Sequence, residues 1–178
     1  IKRSLDIFPQ QGKKAPWRNN QNFLKDVFQI RYGRIDDGEI FIEVMRMDGV
    51  EMPDSGQIYL DLVEELRIAR LLKREDSYRI NVTLELPTSQ GFGMSAAGLV
   101  AVARAFRTLT KRGTDEQYLR LAHRIERMHG SGLGDVLGIS AKGVELRLEP
   151  GSPGAGGKVV SFTTHQPLLL VWKPEESR

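Results

Sequence analysis

Alternating apolar and polar residues mark the strands of this chain. Residues 39–45 place Ile40, Ile42 and Val44 on one face, which is the pattern of a half-buried strand. Residues 78–86 alternate in the same way and end before Pro87. Shorter strands are predicted at 144–148, near 159–162 and at 168–172.

Three segments have the spacing or composition of helices. The first is 59–74, which is rich in Leu and has helical spacing, and the second is a run of good helix formers after Ser95. The third opens with a capping-box pair, Thr114 and Gln117, and extends to about His129. Strands and helices follow one another in segregated order, without a regular βαβ rhythm. This order predicts an α+β fold.

Length and charge limit the class of protein. The chain has 178 residues, enough for one domain or for one domain with a remnant. Its 26 Lys and Arg against 23 Asp and Glu leave a net charge of +3, spread too evenly to predict a nucleic-acid-binding surface. No apolar run approaches the roughly 20 residues of a membrane helix. The absence of Cys excludes disulfides and thiol chemistry and fits a cytoplasmic protein.

The segment PTSQGFGMSAAG (87–98) carries the strongest chemical signal, because it lies between a predicted strand and a predicted helix. A Gly-rich turn there lets backbone N–H groups face an anion at the helix N-terminus. Gly91 and Gly93 permit positive φ and close approach of phosphate oxygens. Ser95 can cap the helix or bind a phosphate oxygen or Mg²⁺. Neither the Walker pattern nor GxGxxG fits this segment. The alternative to an anion-binding site is a capped helix after a flexible turn.

This segment resembles the PxxxGLGSSAA phosphate loop of the GHMP kinases. Two later blocks, AHRIERMHGSGLGDVLG (122–138) and KGVELRLEPGSPGAGGKV (142–159), resemble the AHxxE…GLGDV and GGxxxRxxPGxPxxG blocks of the archaeal pantoate kinases within that family. The resemblance implies ATP and Mg²⁺ as cofactors and transfer of the γ-phosphoryl group to (R)-pantoate. The product would be 4-phosphopantoate, used in coenzyme A biosynthesis.

The same resemblance implies a domain like domain 2 of ribosomal protein S5. The C-terminal ferredoxin-like domain of these kinases has no counterpart in the sequence. We therefore expect residues 1–178 to be an N-terminal, ATP-binding portion, in which 1–35 are unassigned. Oligomeric state stays open, with a homodimer among the alternatives.

Carried over position by position, the resemblance assigns roles to single residues. Ser95 and Glu126 match Mg²⁺ ligands and Asp135 the catalytic aspartate, so these three form the expected catalytic set. Arg147 matches the arginine that holds the substrate carboxylate. The residues that match the nucleotide-binding loop are Pro87, Ser89, Gln90, Gly91, Phe92, Gly93, Met94, Ser95, Ala96 and Ala97. Met94 stands where many GHMP kinases have a second Ser, which removes one phosphate contact.

Each of these residues has a plainer alternative. Glu126 could belong to a charged helix face, Asp135 could cap the next segment, and Arg147 could form a cross-strand ion pair. His123, Glu126 and His129 suggest zinc, but at i, i+3 and i+6 they spread over about 120° of a helix, too wide for one ion.

Two alternative functions also stay open. The chain could belong to another GHMP kinase, acting on a different hydroxy acid or a sugar. It could instead be a non-catalytic S5-like binding module with RNA as its ligand.

Overall fold

A mixed three-stranded sheet forms one layer of the fold. The structure, a computed structural model, describes residues 28–32, 38–86, 88, 91–132, 134–141, 143–163, 169 and 171. The strands β1 (Phe28–Tyr32), β2 (Ile40–Arg46) and β3 (Tyr78–Leu84) lie in the order β1-β3-β2. Strand β3 is antiparallel to β1 and parallel to β2. Strand β1 lies in the segment left largely unassigned by the sequence.

The parallel pair is joined by helix α1 (Gln57–Ile68), which follows a single 3₁₀ turn at Pro53–Ser55. One βαβ unit is therefore present, where the sequence predicted no such rhythm. Helix α1 buries Tyr59, Leu62, Val63 and Leu66. It ends earlier than the predicted residue 74, because Arg70 adopts a left-handed φ of 58°.

Helices α2 (Met94–Thr110) and α3 (Asp115–Met128) supply most of the remaining core. The predicted capping box is confirmed: the Thr114 hydroxyl accepts from the N–H of Gln117, whose side chain accepts from the N–H of Thr114 at 2.9 Å. Helix α2 buries its small residues, so it packs closely against α3, and Phe106 meets Tyr78 of the sheet edge-to-face at 4.9 Å.

A short helix and a separate hairpin follow. Helix α4 (Asp135–Ser140) was not predicted, whereas the antiparallel strands β4 (Val144–Glu149) and β5 (Lys158–Phe162) match their predicted positions closely. The predicted strand at 168–172 lies mostly outside the described residues. Among the helices described, none is long and apolar enough to cross a membrane.

Candidate active site

The start of helix α2 presents uncapped backbone donors. Its N-cap is Gly93, with a left-handed φ of 64°, and glycine has no side chain to satisfy the N–H groups of the first turn. These donors and the helix dipole together favour an anion at this end. Gly91 is also left-handed, with φ of 78°. The Gly-rich turn thus has the backbone conformation expected of a phosphate loop.

The other residues of this loop divide into buried and partly exposed ones. Ser95, the second residue of α2, is half-buried, whereas Met94 is 6% exposed and belongs to the hydrophobic core, as does Ala96. The burial of Met94 explains an apolar residue there. Ala97 is also buried, and Pro87, Ser89 and Gln90 lie outside the described residues.

A cavity of about 270 Å³ opens beside Ser95 and is lined also by Thr88, Tyr59 and His129. Tyr59 packs so closely on Gly98 that a Cβ there would collide with the tyrosine hydroxyl. Burial raises the pKa of Tyr59 well above its ordinary value. At the rim, His129 Nε2 lies 2.6 Å from Asp61 Oδ2. The cavity therefore offers polar side chains next to the free end of α2.

Asp135 and Glu126 converge on the Gly-rich turn before α4. A Cβ on Gly132 would lie 2.6 Å from Glu126 Oε1 and 2.8 Å from Asp135 Oδ2. The same Asp135 oxygen is 3.7 Å from the place of a Cβ on Gly93, at the start of α2. Asp135 is exposed and Glu126 is completely buried. The exposed carboxylate of Asp135 thus lies next to the Gly-rich loop, and the buried carboxylate of Glu126 lies next to Asp135.

The buried Glu126 carboxylate holds the start of α4. Its Oε1 accepts hydrogen bonds from the backbone N–H groups of Asp135, at 3.1 Å, and Val136, at 3.3 Å. Its Oε2 lies 3.1 Å from Nδ1 of His123, which is 6% exposed. Carboxylates at a helix start satisfy donors that would otherwise lack partners. Glu126 therefore fixes where Asp135 stands.

Arg147 reaches the same turn from strand β4. Its Nη2 donates to the carbonyl of Gly134 at 2.8 Å and to Glu145 Oε1 at 2.5 Å. A Cβ on Gly134 would collide with Nη1 of the guanidinium. An ion pair is thus present, but its partner is Glu145 of the same strand, and not a residue across the strands as the alternative predicted. Arg147 also lies beside Asp135, where the resemblance predicted a substrate-binding arginine.

Comparison with known proteins relates this chain to one family. Residues 61–143 match the family model described as "GHMP kinases N terminal domain". The resemblance to the GHMP kinases is confirmed. The matched range includes the phosphate loop and the Glu126 and Asp135 segment, but it ends before Arg147.

The most similar relatives include pantoate kinases. The protein from Thermococcus kodakarensis is 43% identical over 87 residues, which are 49% of this chain and 29% of that protein. The pantoate kinase of Methanospirillum hungatei is 31% identical over 105 residues, or 58% of this chain and 34% of that protein. The chain thus spans about a third of the length of these curated relatives.

A solved structure supports the same relationship. A protein described as "Phosphotransferase related to CoA biosynthesis pathway" superposes with a TM-score of 0.61 at 27% identity, covering 78% of this chain and 46% of that one. A stretch of 37 residues is 57% identical to the FAD-containing monooxygenase EthA of Mycobacterium tuberculosis and spans 8% of it. Thirty-seven residues are fewer than a folded domain needs, so this match assigns no activity.

Mg²⁺, which GHMP kinases would use with ATP, requires hard oxygen ligands. Asp135 Oδ2 lies near Gly93 of the loop, the Glu126 carboxylate lies close to Asp135, and Ser95 lines the adjoining cavity. This oxygen set fits a magnesium ion. In the part of the chain that the structure describes, no three His, Cys, Asp or Glu side chains are grouped so that they could hold a metal ion by themselves.

Sequence reasoning missed two residues of this site, Tyr59 and Gly132, and considered a third, His123, only as a zinc ligand. Tyr59 is far from the loop in sequence, and nothing in its local pattern distinguishes it from a core residue. Gly132 was available as a signal, because it belongs to the GSGLGD segment, but the two carboxylates it accommodates become visible only in three dimensions.

Proposed function

We propose that this chain is the ATP-binding part of a GHMP-type kinase that phosphorylates the hydroxyl of (R)-pantoate to give 4-phosphopantoate. The observation that carries the proposal is the approach of Asp135 Oδ2 to within 3.7 Å of the Cβ position of Gly93. A candidate proton acceptor thereby stands at a helix end suited to phosphate. Phosphoryl transfer needs such positioning and charge neutralisation more than covalent catalysis.

We infer the roles of the residues from this geometry and from the resemblance. The N–H groups at the start of α2 bind the phosphates, and Ser95 and Glu126 would hold Mg²⁺, which would neutralise phosphate charge. The substrate hydroxyl oxygen forms a bond to the γ-phosphorus while the bond to the β–γ bridging oxygen breaks, leaving ADP. Asp135 accepts the hydroxyl proton. Glu126 and His123 keep Asp135 in place through the start of α4.

The choice of pantoate rests on the named relatives and on Arg147. A guanidinium suits a carboxylate, and Arg147 lies beside the Asp135 turn. Its Nη2 is engaged with Gly134 and Glu145, so a substrate carboxylate would meet the remaining edge of the fork or displace Glu145.

Thermal unfolding with and without Mg·ATP tests the nucleotide site. A ligand at 100 times its Kd stabilises the native state by about 2.7 kcal/mol, so the wild-type Tm should rise clearly. Gly93→Ala places a methyl group between the loop and Asp135 and should abolish this shift.

Gly49→Ala is the matched control, because Gly49 is also left-handed, at φ 84°, with nothing within 4 Å of its Cβ position. Both variants carry a similar backbone strain of about 1–2 kcal/mol, but only Gly93→Ala should lose the ATP response. A shift retained in Gly93→Ala would remove the loop from the nucleotide site, and no shift in the wild type would refute ATP binding. ADP release with pantoate, compared with mevalonate, tests the acceptor separately.

A further inference from the structure

A second cavity, of about 600 Å³, lies between helix α3 and the turn that joins β4 to β5. Its lining includes Arg120, His123, Arg124 and Arg127 from the helix and Gly151 and Ser152 from the turn. It shares no lining residue with the cavity beside Ser95. Its volume falls within the range of small-molecule sites.

The charge of this cavity is one-sided. Three arginines line it and no acidic residue does. Arg124 Nη1 pairs with Glu65 Oε2 at 3.1 Å, but in the part of the chain that the structure describes neither Arg120 nor Arg127 has an ion pair. Two acids of the same helix lie near the cavity but face other groups. Glu126 is completely buried and is engaged with His123 and the start of α4, and Glu116 lies beside Gly154 of the turn.

The arginines share one face of α3. Positions 120, 124 and 127 follow the i, i+4, i+7 spacing, which places Arg120 and Arg127 about 10 Å apart along the helix axis. Like charges at this spacing destabilise a helix, so an anion bound between them would relieve the repulsion. Guanidinium groups present planar donor forks that match phosphate oxygens bidentately.

We propose that this cavity binds a small phosphorylated molecule that carries a diphosphate group. Two linked phosphates bring enough charge for more than one arginine, whereas a single carboxylate engages one fork. Ser152 adds a hydroxyl donor from the opposite wall. The site is additional to the nucleotide site proposed at α2.

Calorimetric titration of the whole chain with inorganic pyrophosphate at low salt tests the site. The variant Arg120→Gln/Arg127→Gln should raise the Kd at least tenfold, and added KCl should weaken wild-type binding. Both arginines are exposed, so the variant should fold normally, and His123 is left intact because it holds Glu126.

The matched control is Lys73→Gln/Arg112→Gln, which removes the same charge from two exposed positions outside the cavity. It should keep the wild-type Kd within about twofold. An equal increase in Kd in both double variants would mean that only net charge matters and would overturn the proposal. Unchanged binding in Arg120→Gln/Arg127→Gln, or no binding by the wild type, would also overturn it.

The variant Gly93→Ala separates this site from the start of α2. The Gly93→Ala variant should still bind pyrophosphate. If Gly93→Ala loses pyrophosphate binding while Arg120→Gln/Arg127→Gln keeps it, the anion binds at the start of α2 and the proposal is refuted. Titration of Gly93→Ala with ADP then identifies the source of the diphosphate. Tighter binding of ADP than of pyrophosphate indicates a nucleotide, and equal binding a free diphosphate.

Discussion

Replacing Glu126 by Gln isolates the contribution of the buried carboxylate. Glu126 is completely buried, and its oxygens accept from the N–H groups of Asp135 and Val136 and from Nδ1 of His123. Gln keeps the shape but removes the charge. Its carbonyl can still face the two backbone donors, while its NH₂ group turns toward His123, whose ring nitrogen then accepts.

The expected magnitude follows from these three hydrogen bonds. A hydrogen bond to a charged group is worth about 1.5–3 kcal/mol and a neutral one about 0.5–1.5, so each bond loses about 1 kcal/mol. Gln recovers part of this loss because no charge is buried. We expect Glu126→Gln to lower the free energy of unfolding by about 1–3 kcal/mol.

Urea unfolding followed by circular dichroism measures this change. Glu75→Gln, at an exposed loop position, is the control and should stay within about 0.5 kcal/mol of the wild type. A Glu126→Gln protein as stable as that control would refute the structural role of the carboxylate. A Mg²⁺ titration with ATP present is the second measurement: Glu126→Gln should need more Mg²⁺, and an unaltered titration would count against Glu126 as a ligand.

Three further predictions concern the site and its surroundings. Asp135→Asn should lower kcat about 10²-fold or more with little change in stability, because Asp135 is exposed; ADP release within a few-fold of the wild type would contradict its role. Arg147→Ala should raise KM for pantoate and leave KM for ATP unchanged, and Arg147→Lys should restore the pantoate KM only in part. If Arg147 merely pairs with Glu145, its loss should lower the free energy of unfolding by at most about 1 kcal/mol and change neither KM. Burial raises the pKa of Tyr59, so as the pH rises the unfolded chain loses the Tyr59 hydroxyl proton before the folded protein does. The contribution of Tyr59 to the free energy of unfolding is therefore fully present below about pH 10 and should fall as the pH rises further. Urea unfolding at several values between about pH 8 and pH 11 measures this change in the free energy of unfolding, which should be smaller in Tyr59→Phe. The same pH dependence in Tyr59→Phe as in the wild type would show that Tyr59 does not cause it.

Periodic segments of the chain were predictable because their burial is regular. Strand β3 alternates buried Ile80, Val82 and Leu84 with less buried neighbours, and the Thr114 capping box fixes the start of α3. Both features are local, so neighbouring residues suffice to identify them.

The elements that were missed are short or depend on distant residues. Helix α4 has only six residues, one of them Gly138, too few for a helical period to emerge. Strand β1 does alternate, with Phe28, Ile30 and Tyr32 separated by polar residues, but it has only five residues within a polar segment. Its place is set by pairing with β3 across more than forty residues. The parallel pairing of β2 with β3 likewise depends on α1 packing back over the sheet, which no single segment encodes.

The candidate site was predicted as a set of residue types but not as an assembly. Gly93, Asp135 and Arg147 were each assigned through the resemblance, and the structure brings all three to one turn. Glu126 differs, because its pattern on a charged helix gives no sign of complete burial. Its hydrogen bonds to Asp135 and Val136 show that it organises the turn, a role distinct from the metal ligation that the resemblance implies.

The glycines of GSGLGDVLG show why this segment tolerates little else. A Cβ on Gly132 would meet Glu126 and Asp135, one on Gly134 would meet Arg147, and one on Gly138 would lie 2.8 Å from Glu145 Oε1. None of these three glycines has a left-handed φ, so the requirement is for space and not for backbone freedom. Each omitted side chain makes room for a charged group that reaches the turn from α3, α4 or β4. These three positions are glycine because the carboxylates of Glu126, Asp135 and Glu145 and the guanidinium of Arg147 approach the same few ångströms of backbone, and that approach places Asp135 next to the Gly-rich loop before α2.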